Sequence, residues 1–110
     1  MPVESDVRLG SGVVIFHPEL VNLYGCQIGD GTRIGTFVEI QKNALIGKNC
    51  KIDEGVHVSD SVIWSGTTID ADARITRSII GKGCYIGRSA VLRPGVVLGD
   101  KTVLTDYSQL

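Results

Sequence analysis

Two histidines, three cysteines and a few well-spaced charges are the side chains of this chain that could do chemistry. His57 has the clearest company: Glu39 stands eighteen residues before it and Arg74 seventeen after it. If those intervals each make one turn of a coil, the three side chains become neighbours on one surface, and Glu39 can orient the imidazole of His57 as a general base. The plainer alternative is a surface histidine in a ladder of charges, since no local motif marks it as catalytic. His17, between Phe16 and Pro18, reads as a residue that shapes a turn. Two histidines are too few for a three-histidine zinc site, and no cysteine spacing suggests a metal, so none is expected. Arg88, Arg93 and Lys101 bring positive charge late in the chain, and scattered solvated charges explain them as well as a binding site does.

What must position these residues is a strict period. Isoleucine occupies Ile28, Ile34, Ile40, Ile46 and Ile52, one residue in six, with Cys26, Thr32, Val38, Ala44 and Cys50 two places earlier. Neither a helix of period 3.6 nor a plain strand of period 2 produces six. A short strand followed by a tight corner does, because residues i−2 and i share one face while the residue between them points outward. Backwards, the register needs one extra residue within 19–25 and then takes in Val21, Ile15, Leu9 and Val3. Forwards it runs through Val58, skips one residue to Ile63, Ile69 and Ile75, skips again to Ile80, and continues to Leu110. Three rungs per turn make coils of about eighteen residues, and about six coils stacked at 4.8 Å make a prism on the order of 30 Å tall.

The register sorts the chain into three faces. The first inward column is Val3, Val21, Ile40, Val58, Ile75, Leu92 and Leu110. The second is Leu9, Ile28, Ile46, Ile63, Ile80 and Leu98, and the third is Ile15, Ile34, Ile52, Ile69, Ile86 and Leu104. Cys26, Cys50 and Cys84 all fall at inward i−2 positions and are expected to be buried free thiols. Cys50 and Cys84 lie two coils apart, beyond disulfide reach. Outward, the first face shows Leu20, Glu39, His57, Arg74 and Val91, and the third shows Arg33, Lys51, Thr68, Tyr85 and Val103. The second shows Gln27 and then Leu45, Val62, Ile79 and Val97. Four aliphatic side chains in one outward column mark an interface. Trp64 stands beside that column at a corner otherwise occupied by glycine (Gly10, Gly29, Gly47, Gly81, Gly99). Its indole either anchors a subunit contact or lies over a neighbouring corner.

Composition narrows the function. The chain has 110 residues, a net charge of −1 and 43% hydrophobic residues, so one domain is expected, with no electrostatic case for nucleic acid or an anionic membrane. Nothing approaches a membrane-spanning length and no signal segment opens the chain, which makes a cytoplasmic setting the default. The register admits no more than one extra residue anywhere, so no loop is expected that is long enough to build a pocket. No Gly-rich loop joins a longer strand to a helix to cradle a nucleotide. An outward threonine ladder that would suit ice binding is missing. Charges near both ends (Glu4, Asp6 and Arg8; Asp100, Lys101 and Asp106) read as guards on otherwise open sheet edges.

The hexad pattern resembles the hexapeptide-repeat family along the whole chain. That resemblance implies an all-β fold, a left-handed parallel β-helix of about six triangular coils, where the usual crossover rule would favour the right hand. It also implies assembly as a homotrimer. Two finer resemblances divide the chain. Within 1–52, IFHPELVNLYGCQIGDGTRIGTFVEIQKNALIGKNCKI looks like the start of sugar-nucleotide N-acetyltransferases. Within 61–110, SVIWSGTTIDADARITRSIIGKGCYIG and VLRPGVVLGD resemble the β-helical tail of mannose-1-phosphate guanylyltransferases, and the change falls in 53–60. The catalytic loop of the first group and the catalytic domain of the second have no counterpart, as in a chimeric or shortened chain. The resulting expectation is a structural, trimer-forming module without a complete active site and without a cofactor. The alternative is an acyl-CoA-dependent N-acetyltransferase acting on an amino-sugar nucleotide at a subunit interface, with acetyl-CoA as cosubstrate and His57 as base. Arg88, Arg93 and Lys101 lie where related transferases meet coenzyme A phosphates.

Overall fold

A computed structural model describes residues 3–110, and these form a left-handed parallel β-helix measuring 32 × 21 × 21 Å. Three parallel sheets make its sides. The first face stacks Asn22–Leu23, Glu39–Gln41, His57–Ser59, Arg74–Thr76 and Val91–Leu92. The second stacks Arg8–Leu9, Gln27–Ile28, Leu45–Ile46, Val62–Ile63, Ile79–Ile80 and Val97–Leu98. The third stacks Val14–Ile15, Arg33–Ile34, Lys51–Ile52, Thr68–Ile69, Tyr85–Ile86 and Val103–Leu104. Each hexad is thus one very short strand and one corner, and every third strand returns to the same sheet.

The inward columns fill the prism. From Ile28 to Leu92 every rung is at most 4% exposed, which removes nearly all of each aliphatic side chain from water. At the ends Leu9, Ile15, Leu98 and Leu104 are only partly covered, having a coil on one side alone. The i−2 positions do more than fill space. On the third face Thr32 Oγ1 donates to Gly47 O at 2.8 Å and Thr67 Oγ1 donates to Gly81 O at 2.8 Å. Between and beyond them Cys50 Sγ reaches Trp64 O at 3.3 Å and Cys84 Sγ reaches Gly99 O at 3.2 Å. Five successive coils are therefore tied, at four junctions, by side chains small enough for the interior that still carry a donor. Among the described residues no buried side-chain nitrogen or oxygen lacks a partner.

Corners set where glycine is needed. Gly31 turns at φ +72°, and a Cβ there would meet Asn49 Oδ1 at 2.3 Å. Gly47 is held by proximity instead, since its Cβ would come within 2.6 Å of Ser65 N on the coil above. Other left-handed corners use Asn49, Asp60, Asp72 and even Phe37.

Two expectations need correction. The rung of the first face in the second coil is Leu23, not Val21: Leu23 pairs with Ile40, and Val3 bridges to Leu23. Val21 is the buried i−2 partner. The cause is the 3-10 turn Pro18–Leu20, which lengthens the step from Ile15 to Leu23, after which the corner before Ile28 is short. Proline supplies the fixed φ that starts this turn, and the backbone N–H of Leu20 donates to His17 O at 2.8 Å. The step from Ile15 to Leu23 holds two extra residues and the step from Leu23 to Ile28 one fewer, so the net excess is the one residue expected. In consequence Leu20 is not an outward residue of the first face, and Asn22 takes that place.

Candidate functional site

The first face brings together what could act on a proton. Glu39, His57 and Arg74 are in direct register on adjacent strands. His57 Nδ1 lies 3.1 Å from Glu39 Oε1, with the imidazole half-exposed and the carboxylate more enclosed. Asn22 Nδ2 donates to the other oxygen, Glu39 Oε2, at 2.9 Å. Glu39 is thus gripped from both sides, and its pairing with Nδ1 leaves Nε2 as the free atom of the ring. Strands of this face are three residues long in the middle coils, so a second outward column, Tyr24, Gln41, Ser59 and Thr76, runs beside the first. Tyr24 Oη bonds Gln41 Oε1 there.

The second face is built differently. Leu45, Val62, Ile79 and Val97 are Cα partners in successive strands and form one continuous outward column. Leu45, Ile79 and Val97 are 42%, 45% and 70% exposed, so methyl groups stand in water along four coils. Trp64, 49% exposed, borders a hollow of about 300 Å³ shared with Ile79, Gly81, Lys82, Leu98 and Asp100. Trp64 therefore faces one hollow together with the next corner, Gly81–Lys82, and with Ile79 of the apolar column.

The remaining candidates separate. His17 Nδ1 lies 3.4 Å from Glu19 Oε1 at the 3-10 turn, a pairing separate from that of His57 with Glu39. Arg88, Arg93 and Lys101 follow three different faces and stand at three different corners. All three cysteines are buried and free. Burial, and then the nearby Asp6 carboxylate, pushes the Cys26 thiol up to about 11, and burial raises Cys50 as well. Thiols so held are protonated at neutral pH and are neither nucleophiles nor ligands. Among the described residues no three His, Cys, Asp or Glu side chains converge as a metal site, and no helix is long and apolar enough to cross a membrane. One pair outside the expected set stands on the third face: Tyr85 Oη donates to Asp70 Oδ2 at 2.6 Å. That bond, with the Ala71 N–H, lowers the Asp70 pKa, and it raises that of Tyr85.

Residues 4–110 match the family model described as the EIF2B subunit epsilon LbH domain. The chain belongs to that family. The match crosses the 53–60 stretch without a break in its span. Curated relatives of this LbH-family chain are hexapeptide-repeat acyltransferases. It is 30% identical to a 2,3,4,5-tetrahydropyridine-2,6-dicarboxylate N-succinyltransferase of Methylorubrum extorquens, over 90% of its own length and 33% of the relative. It is 29% identical to the bifunctional protein GlmU of Pseudoalteromonas atlantica, over 90% of its length and 22% of that protein. The chain therefore spans a third or less of these relatives. Among solved structures it superposes on a mutant GDP-perosamine N-acetyltransferase of Caulobacter crescentus in complex with CoA and GDP-perosamine. The TM-score is 0.51 at 24% identity, covering 94% of this chain and 49% of that one. A UDP-N-acetylglucosamine O-acyltransferase of Moraxella catarrhalis gives a TM-score of 0.51 at 12% identity, covering 100% and 67%. These two likenesses establish the fold alone.

Sequence reasoning missed Asn22 because the register was carried through Pro18–Leu20 as though it were an ordinary corner. Pro18 was the available signal. The Tyr85–Asp70 bond had none, since it joins an outward strand residue to a corner carboxylate on the neighbouring coil.

Proposed function

We propose that this LbH chain is a structural module that assembles as a homotrimer through its second face and has no complete active site of its own. The observation that carries this reading is the in-register column Leu45, Val62, Ile79 and Val97. From Gln27 to Val97 the outward residues of that face bear no charge, so identical copies can meet there without like-charge repulsion. The other faces put Arg33 and Lys51, or Glu39, His57 and Arg74, in the same position. Closure around a three-fold axis satisfies the apolar column of every copy at once. The only insertion among the described residues is the Pro18–Leu20 turn, which builds no pocket over the strands. Three buried thiols suit a reducing, cytoplasmic setting. Sedimentation equilibrium at micromolar concentration is expected to give three times the chain mass, and Ile79→Glu to give one. A single-chain mass for the unaltered protein overturns the reading.

A second reading is favoured by one observation, the 3.1 Å contact between His57 Nδ1 and Glu39 Oε1. It takes the chain as an acyl-CoA-dependent N-acetyltransferase acting on an amino-sugar nucleotide at a subunit boundary. His57 Nε2 would take the proton of the attacking amine, while Glu39, steadied by Asn22, orients the ring and stabilises the imidazolium. Acetyl-CoA would be the cosubstrate. Arg88, Arg93 and Lys101, at three corners, offer its phosphates no common site within one chain. Incubation with acetyl-CoA and amino-sugar nucleotides tests it: turnover that disappears in His57→Ala would put this reading first.

A further inference from the structure

The prism has three long edges, and the one where the third face turns into the first is unlike the others. Its first end, formed by two neighbouring coils, is apolar. Phe16, Leu20 and Phe37 are 56%, 42% and 59% exposed there. The Phe16 N–H donates to Ile34 O at 3.1 Å and the Phe37 N–H donates to Leu20 O at 2.9 Å, which holds the three residues at one corner. Phe37 also turns the chain at φ +57°, in the left-handed region where Gly55 and Asp72 stand on the next two coils. A bulky side chain is strained in that region, and this ring gains no burial in return. Asparagine would suit the corner better, so the fold does not account for the phenylalanine.

Beyond the aromatic end the same edge is acidic. It carries six carboxylates, Glu19, Asp53, Glu54, Asp70, Asp72 and Asp106, and one permanent cation, Arg88. Among the described residues, each of the other edges carries three cations, against two carboxylates at one and three at the other. Outward Arg33, Lys51 and Arg74 on the flanking faces, set against Glu39, leave an excess of negative charge. Asp53, Asp70 and Asp106 each turn one oxygen to a backbone N–H, which fixes the carboxylate without neutralising it. Exposed aromatic surface continued by a charged strip calls for a partner that is apolar at one point and basic at the next.

We propose that this edge docks an extended basic segment of another protein. An apolar side chain of the segment sits on Phe16, Leu20 and Phe37, and a Lys or Arg three residues along reaches Glu54 and Asp72. Glu54 lies one coil beyond Phe37 and Asp72 two, a span of up to about 10 Å at the strand spacing. A polyproline II segment rises about 3.1 Å per residue and turns every third side chain to the same side, which matches that span. The edge lies opposite the second face, and the inference holds for one chain or for three.

Panning a phage-displayed library of linear heptapeptides on the folded chain tests this. Selected peptides should pair an apolar or aromatic residue with Lys or Arg three places away. One such peptide, labelled with fluorescein and followed by anisotropy, should bind Phe37→Asn at least about tenfold more weakly than the parent. Thermal melts followed by circular dichroism should show that variant folded and no less stable, since asparagine tolerates the corner. Asp72→Asn keeps the corner and removes one charge; it should weaken binding about threefold at low salt and less as salt is raised. Ile79→Glu, on the second face, should bind the peptide as the parent does. A library that yields no enriched sequence, sequences without the apolar and basic pair, or binding that survives Phe37→Asn overturns the proposal. Equal binding of labelled heptalysine overturns it too, because charge alone would then explain the edge. A single-chain mass in sedimentation overturns the trimer reading and leaves this proposal in place.

Discussion

The first and second faces share one inner wall and differ only outside. Inward, both present isoleucine and leucine rungs in register, with a valine rung, Val58, on the first. Outward, the first face links Asn22, Glu39 and His57 by hydrogen bonds and follows them with Arg74, whereas the second lines up Leu45, Val62, Ile79 and Val97. Polar atoms on the first face satisfy one another and water. Methyl groups on the second have nothing to satisfy them except another surface. The backbone ladder is the same under both, so in this fold the outward residue of each strand is free to serve function while its neighbours on either side hold the structure.

Inner rungs should be alike whichever face they belong to. Ile40→Ala and Ile63→Ala each remove a fully buried side chain between two coils, and each should cost about 2–5 kcal/mol in urea denaturation. A large gap between them would show that the two walls are not equivalent. Outward changes should separate the faces instead. Ile79→Glu introduces three like charges into the proposed shared face and should weaken assembly at least about a hundredfold without unfolding the chain. Arg74→Glu, its counterpart on the first face, should leave the sedimenting mass unchanged.

The third face tests the tie between coils. Thr67→Val keeps the shape but removes the donor to Gly81 O and the acceptor for Cys84 N, and should cost about 1–3 kcal/mol. Cys50→Val, which loses only a weaker S–H bond to Trp64 O, should cost less, under about 1 kcal/mol. The smallest effect concerns Asp70. Its folded pKa is depressed, so its contribution is present above the ordinary carboxylate pKa and is lost as pH falls through the folded value. Exposure and screening hold that to a few tenths of a kcal/mol. Tyr85→Phe should flatten this acid limb in thermal melts recorded between neutral pH and pH 3. An unchanged limb would mean that Ala71 N–H alone sets the Asp70 titration.

Much of this was legible in one dimension because the repeat is local. Wherever a hexad is intact, from Ile28 to Leu104, counting residues assigns the face, the column and the inward or outward side. The Glu39–His57–Arg74 ladder and the aliphatic column stood where counting put them. Counting fails at Pro18–Leu20, where a 3-10 turn absorbs chain length that it treats as a corner, and there it points to Val21 for the rung that Leu23 supplies. It also treated Cys50 and Cys84 as small apolar filler, although each continues a ladder of donors begun by Thr32 and Thr67.

By itself the sequence determined the period, the three columns and the outward stripe, since a six-residue repeat leaves a short strand only one orientation per residue. Tertiary structure decided which side chains meet across coils: Asn22 with Glu39, and Tyr85 with Asp70. Such pairings depend on side-chain reach and on how a single irregular turn shifts one coil against the next. No count along the chain contains that distance.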